Sequence, residues 1–153
     1  MAQRSVMQTS FTIPTRGAAL YEITDQVTGW VRQMQVQQGL LTLFIRHSSA
    51  SLLIQENADP DVRRDLMAYF SRLVPRGDDP SMSYLTHTLE GHDDMPAHIK
   101  AALLPVSLQI PVAHGRPVLG QWQGIYVVEH RDAPHRRQVA AHISESHNPQ
   151  WPP

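Results

Sequence analysis

Thr24 to Ser48, TDQVTGWVRQMQVQQGLLTLFIRHS, changes its hydrophobic period halfway along, and that change decides the fold. In the first half Val27, Trp30, Val31 and Met34 fall at i, i+3, i+4 and i+7, one face of a helix. Thr24 is placed to cap this helix, Asp25 suits its positive end, and Gly39 is a natural stop. After Gly39 the period becomes two. Leu41, Leu43 and Ile45 share one face of a strand with His47, and Thr42, Phe44 and Arg46 hold the other.

The same alternation of elements continues on both sides. Ser5 to Thr15 reads as an opening strand that stops at Pro14, with a turn at Arg16-Gly17. Asp59-Pro60-Asp61 starts a second helix, since it offers a capping carboxylate, a proline at the first helical position and an acid in the first turn. Val62, Leu66, Phe70 and Leu73 give that helix its stripe, and Pro75 ends it. Residues 75–86 form a turn-rich connector suited to covering a neighbouring cavity. A short third helix is expected from Pro96, because proline disfavours helical geometry at Met95, with Ile99, Ala102 and Leu103 buried. Strands follow over Val106–Val112 and Trp122–His130, joined through His114-Gly115-Arg116-Pro117, and then over Gln138–Ser144. Three helices interspersed with antiparallel strands make an α+β domain over residues 1–144, with a Pro-rich tail over 145–153.

The 153 residues suit one domain, and a formal charge of −1 argues against a protein that grips nucleic acid by bulk phosphate attraction. No cysteine is present, so disulfides and thiolate metal sites are excluded and any metal must take nitrogen and oxygen ligands. No segment reaches the roughly 20 apolar residues of a membrane span, and the first fifteen residues lack the apolar run of a signal peptide. A cytoplasmic protein is the expectation. The nine histidines are dispersed rather than run together as in a tag, and His135, His142 and His147 read as surface residues.

Chemistry concentrates in three clusters: Arg46 to Leu52, Glu90 to His98, and Glu129-His130-Arg131. His47 ends an apolar face, as a satisfied core histidine or a functional one would. Asp93 and Asp94 precede a helix, where one carboxylate would suffice for capping, and His98 lies within reach of Asp94 for a bond that fixes its tautomer. Period two puts His130 on the face of Tyr126 and Val128, with Glu129 opposite. If those strands are neighbours, His47, His98 and His130 meet beside a carboxylate, a nitrogen/oxygen zinc environment. Ser48, Ser49 and Ser51 suit a turn or an anion-binding run better than a nucleophile, since no GxSxG elbow is present. Arg63 and Arg64 fit a solvated face or a reach toward an anion. The two glycines of Gly120–Tyr126 fit a bulge against Trp122.

His47-Ser48-Ser49-Ala50-Ser51-Leu52, Glu56 to Val62, His87 to Gly91, Asp93 to Lys100, and Gly120 to Arg131 run in the order found in the YjbQ family. The chain resembles that family, also called the secondary thiamine-phosphate synthase family, over roughly residues 8–144. The resemblance implies an α+β fold with a β-sandwich-like core, a homotrimer with clefts between subunits, and a weak ability to make thiamine phosphate. That reaction joins a hydroxymethylpyrimidine diphosphate to a thiazole phosphate with loss of pyrophosphate. The positions carried over are His47, Asp94, His98, Glu129 and His130. Ser48 stands where the family usually has threonine, Gln121 where threonine is frequent, and His92 where an acid or small residue is common.

Roles follow from residue chemistry. Asp94, His98 and Glu129 are the expected acid–base residues, while Arg46, Ser49, Ser51, Lys100 and Arg131 are expected to bind an anionic substrate. His47, His98 and His130 are the expected metal ligands, for a zinc-like ion. Pyrophosphate chemistry would instead call for Mg²⁺, held by Asp93 and Asp94. No organic cofactor, nucleic acid or membrane partner is expected. A metal-dependent hydrolase or lyase acting on a small phosphorylated or carboxylated metabolite is the alternative, and a non-catalytic metabolite-binding module is the third reading.

Overall fold

A computed structural model describes residues 6–146. Its elements are β1 (Val6–Arg16), β2 (Ala19–Glu22), α1 (Thr24–Gln33), β3 (Gly39–Ile45), β4 (Ala50–Glu56), α2 (Pro60–Leu73), a 3-10 turn (Pro80–Met82), α3 (Asp94–Leu103), β5 (Ser107–Ala113), β6 (Arg116–Pro117), β7 (Gln123–Glu129) and β8 (Pro134–Glu145). The strands form an antiparallel five-stranded sheet in the order β1-β8-β3-β5-β6 and a three-stranded sheet in the order β2-β7-β4. This is the expected α+β sandwich. Among the described residues, no helix is long and apolar enough to cross a membrane.

One core lies between the sheets. Leu41, Leu43 and Ile45 of β3 meet Val139, Ala141 and Ile143 of β8 and, from the smaller sheet, Leu52, Ile125 and Val127. Helix α1 adds Val27, Trp30 and Val31, with Phe11 edge-on to Trp30 at 6.1 Å between ring centroids. β7 is buried on both faces, because α3 lies against β4 and α2 against β2 on the side away from the core. His130 therefore sits beneath the helices with Tyr126 and Val128, while Glu129 points to the sandwich, as period two requires.

Several boundaries differ from expectation. β1 runs through Pro14 because it is an edge strand, paired only with β8, and an edge tolerates a residue without an N–H. Thr24 is the first helical residue rather than the cap. Its hydroxyl accepts from the Ile125 N–H at 2.9 Å and donates to Glu22. The helix ends at Gln33, with Gln35 in the left-handed region, and Gly39 opens β3 instead. A Cβ on Gly39 would stand 2.3 Å from the Ser144 carbonyl oxygen, so the close β3–β8 approach requires glycine.

α3 begins at Asp94, two residues earlier than expected, since Pro96 still falls in the first turn, where no N–H is needed. Its buried stripe is Asp94, Ala97 and Ala101, and Ala102 and Leu103 are exposed, because the small alanines bring the helix close to β4. β2 and β4 were not read from the sequence, and β7 pairs with β4 without a bulge. Of the expected tail, residues 147–153 lie outside the described residues, as does Ser5 of the expected opening strand.

Candidate functional site

β7 ends in Glu129, followed by His130 and Arg131, and these three side chains go to three places. Glu129 turns into the sandwich. Its Oε1 accepts from Arg137 Nε at 2.8 Å and from Thr15 Oγ1 at 2.6 Å, and its Oε2 accepts from Arg137 NH2 and from the Arg131 N–H. Burial raises the Glu129 pKa, but the hydrogen bonds from Arg137 and Thr15 outweigh it and leave the carboxyl below its ordinary range. Arg137 comes from the inward parity of β8 and also donates to the Ser49 carbonyl and hydroxyl. Both partners of this ion pair are buried.

His130 turns the other way and meets Ser51 Oγ at 2.9 Å through Nε2, both groups being buried. Its Nδ1 has no hydrogen-bond partner. Burial, reinforced by the Lys100 charge, lowers the His130 pKa to about 4, so the ring is neutral at pH 7.

Arg131 reaches back over the start of α3. Its Nε donates to Asp93 Oδ2 at 3.0 Å, NH1 to Asp94 Oδ1 at 2.6 Å and NH2 to the Glu90 carbonyl at 3.1 Å. Asp93 also accepts from the Asp132 N–H and makes no side-chain cap to its own helix, so capping does not explain the paired carboxylates.

Asp94 is the centre of the second cluster. Its side chain is 2% exposed, and Oδ2 faces two imidazoles: His87 Nε2 at 2.6 Å and His98 Nε2 at 3.4 Å. His98 lies one helical turn along α3, and its Nδ1 donates to the Ser48 carbonyl at 2.9 Å. Burial pushes the Asp94 pKa up, but the hydrogen bond from His87 and the charge of Arg131 hold it below its ordinary value. The imidazoles are the cluster's solvent side, His87 being 47% and His98 31% exposed. Ligand atoms of His87, Asp94 and His98 all lie within 4.8 Å of one another, the one such group among the described residues.

The expected site residues divide accordingly. Asp94 and His98 come together, with Arg131 bound to Asp94 rather than open to a substrate. His47 and His130 do not join His98 as a ligand group within the chain. His47 Nε2 accepts from the Gln138 N–H at 2.8 Å and its Nδ1 faces Arg137, which ties the ring to β8. Glu129, Ser49 and Ser51 are buried and hydrogen-bonded internally. Lys100, two residues past His98, lies on another side of α3 among Phe70, Leu73, Val74, Leu103 and Leu104. Arg46 is exposed and lines an open concavity of about 460 Å³ with Phe44, Ile45, His47, Ser48 and Val106. Ser48 joins that concavity to His98.

His87 and Arg137 were missed as site residues. His87 sits in an irregular loop without periodicity. Its signal was its place seven residues before an Asp that is itself four before a His. Arg137 shares the inward parity of Val139, Ala141 and Ile143, and a charge at that parity calls for a buried carboxylate.

Comparison with known proteins agrees with this architecture. A family model described as UPF0047 protein YjbQ-like matches residues 9–146. The chain is 48% identical over 132 residues to a UPF0047 protein of Synechocystis sp., covering 86% of this chain and 87% of that one. It is 43% identical over 125 residues to the UPF0047 protein YjbQ of Salmonella typhimurium, covering 81% and 87%. Among solved structures, an uncharacterized conserved YjbQ/UPF0047 protein of Clostridium acetobutylicum superimposes with a TM-score of 0.78 at 34% identity, covering 88% of this chain and 98% of the other. A hypothetical protein of Aeropyrum pernix K1 does so with a TM-score of 0.81 at 28% identity, covering 92% and 99%. The chain belongs to the YjbQ-like UPF0047 family.

Proposed function

We propose that the chain is an enzyme acting on a small anionic metabolite at the His87–Asp94–His98 cluster, with weak thiamine-phosphate synthase-type transfer within its range. The observation that carries this reading is the buried Asp94 carboxylate, fixed by Arg131 on one oxygen and facing two half-exposed imidazoles on the other. A carboxylate in that position orients an imidazole, which is what proton transfer at a substrate atom needs. The concavity beside Ser48 offers the apolar surface of Phe44 and Val106, with Arg46 to meet a phosphate or carboxylate. In this reading Glu129 and Arg137 are positioning residues that hold the Ser49–Ser51 strand entrance, and the working assembly is a homotrimer.

The test supplies purified protein with hydroxymethylpyrimidine diphosphate and thiazole phosphate, and follows thiamine phosphate by its fluorescent oxidation product. Formation by the wild type and its loss in a folded His98→Ala variant are expected. Equal rates in the two would overturn the assignment. Two nitrogen donors beside a single carboxylate favour a second reading, a hydrolase or lyase on a phosphorylated or carboxylated metabolite, because pyrophosphate chemistry prefers an oxygen-coordinated Mg²⁺. Release of phosphate from simple phosphate esters without thiamine phosphate formation would select it.

A further inference from the structure

We infer that His87 Nε2, Asp94 Oδ2 and His98 Nε2 form a three-ligand site for one divalent transition-metal ion per chain. The inference deepens the proposed function, since it rests on the same cluster. Three observations carry it. First, the Ser48 carbonyl can only accept, so His98 Nδ1 carries a proton, and Nε2, the ring's other nitrogen, is aimed at Asp94 Oδ2 at 3.4 Å. A ligating imidazole is neutral, so its Nε2 lone pair and the carboxylate oxygen are both available to a cation at their shared corner. His87 Nε2 converges on the same oxygen.

Second, the spacing suits a small ion. With metal–ligand bonds of about 2.0–2.1 Å, tetrahedral ligand atoms stand about 3.3 Å apart. The Asp94–His98 edge is 3.4 Å. The Asp94–His87 edge is 2.6 Å, and it opens by movement of a half-exposed ring on a loop.

Third, the surroundings are those of ligands rather than of solvated side chains. The non-ligating nitrogen of His98 is fixed by a backbone carbonyl, and the non-ligating oxygen of Asp94 is held by Arg131. Glu90 Oε2 lies 3.9 Å from His87 Nε2, on the solvent side. Two imidazoles and one carboxylate select zinc, cobalt, iron or nickel over magnesium and calcium, and three protein ligands leave positions open for water or substrate.

The experiment uses the full chain without a histidine tag, stripped with a chelator and titrated with Zn²⁺ or Co²⁺ alone by calorimetry and by the visible absorption of Co²⁺. One ion per chain is expected. Affinity should fall at least ~100-fold in His87→Ala and in His98→Ala, because loss of a second-shell partner alone costs 10–100-fold. His47→Ala should still bind. His87→Ala changes an exposed residue, so its fold is not at issue. Absence of binding, or binding indifferent to His87→Ala and His98→Ala, would overturn the site. Metal bound without turnover would sustain this site and contradict the enzymatic reading. Turnover by protein that binds neither Zn²⁺ nor Co²⁺ would overturn this site and sustain that reading.

Discussion

Glu129 and Arg137 face each other across the β7–β8 connection, with the guanidinium donating to both carboxylate oxygens inside the sandwich. Each is held by further groups: Thr15 and the Arg131 N–H on the acid, Ser49 on the base. The pair thereby ties β1, β7, β8 and the segment leading into β4 together.

Removing one partner strands the other charge in the core. Glu129→Ala is expected to destabilise the fold by about 3–5 kcal/mol in urea unfolding. Replacing both residues with apolar ones of similar volume should cost far less. Equal losses in the single and double variants would contradict the pairing.

His130 sets a pH dependence. Its pKa falls from 6.5 in the unfolded chain to about 4 in the fold, so below pH 6.5 the unfolded state binds a proton that the folded state does not. Its contribution is complete above the unfolded value and is lost as pH falls from about 6.5 to about 4, by roughly 3 kcal/mol in total. Glu129 adds the same sign in a more acidic window: its folded pKa is depressed, so stability present above the unfolded carboxylate value is lost as pH falls through the folded one. Urea unfolding of wild type and His130→Gln at pH 7.5 and pH 5 separates the histidine part. Parallel slopes in the two proteins would refute it.

Two glycines should answer oppositely to alanine. Gly29 lies within α1, and a Cβ there meets nothing within 4 Å, so Gly29→Ala should stabilise by about 0.5–1 kcal/mol. Gly39→Ala drives a methyl into the Ser144 carbonyl and should destabilise by about 1–3 kcal/mol. Thermal or urea unfolding of the pair checks both signs.

Periodicity made the fold legible where one face is apolar. Val27, Trp30 and Val31 declare α1, and Leu41, Leu43 and Ile45 declare β3, because burial selects those positions alone. The parity of β7 likewise placed His130 and Glu129 on opposite faces. Asp94 and His98 were legible as an i, i+4 pair on a short helix. The contact of His87 with them was not, since a loop side chain has no period to read. β2 is only four residues long, too short for alternation to register. The Glu129–Arg137 pair escaped because the expected last strand began one residue after Arg137, so an inward-facing charge went unnoticed.

Turnover of a folded His87→Ala variant decides whether the His87–Asp94–His98 cluster is the reacting site, because His87 is exposed and lies outside the buried network yet belongs to that cluster. A loss of about 10²–10⁴-fold against wild type at equal stability is expected, the range of a lost proton-transfer group. An unchanged rate would contradict it.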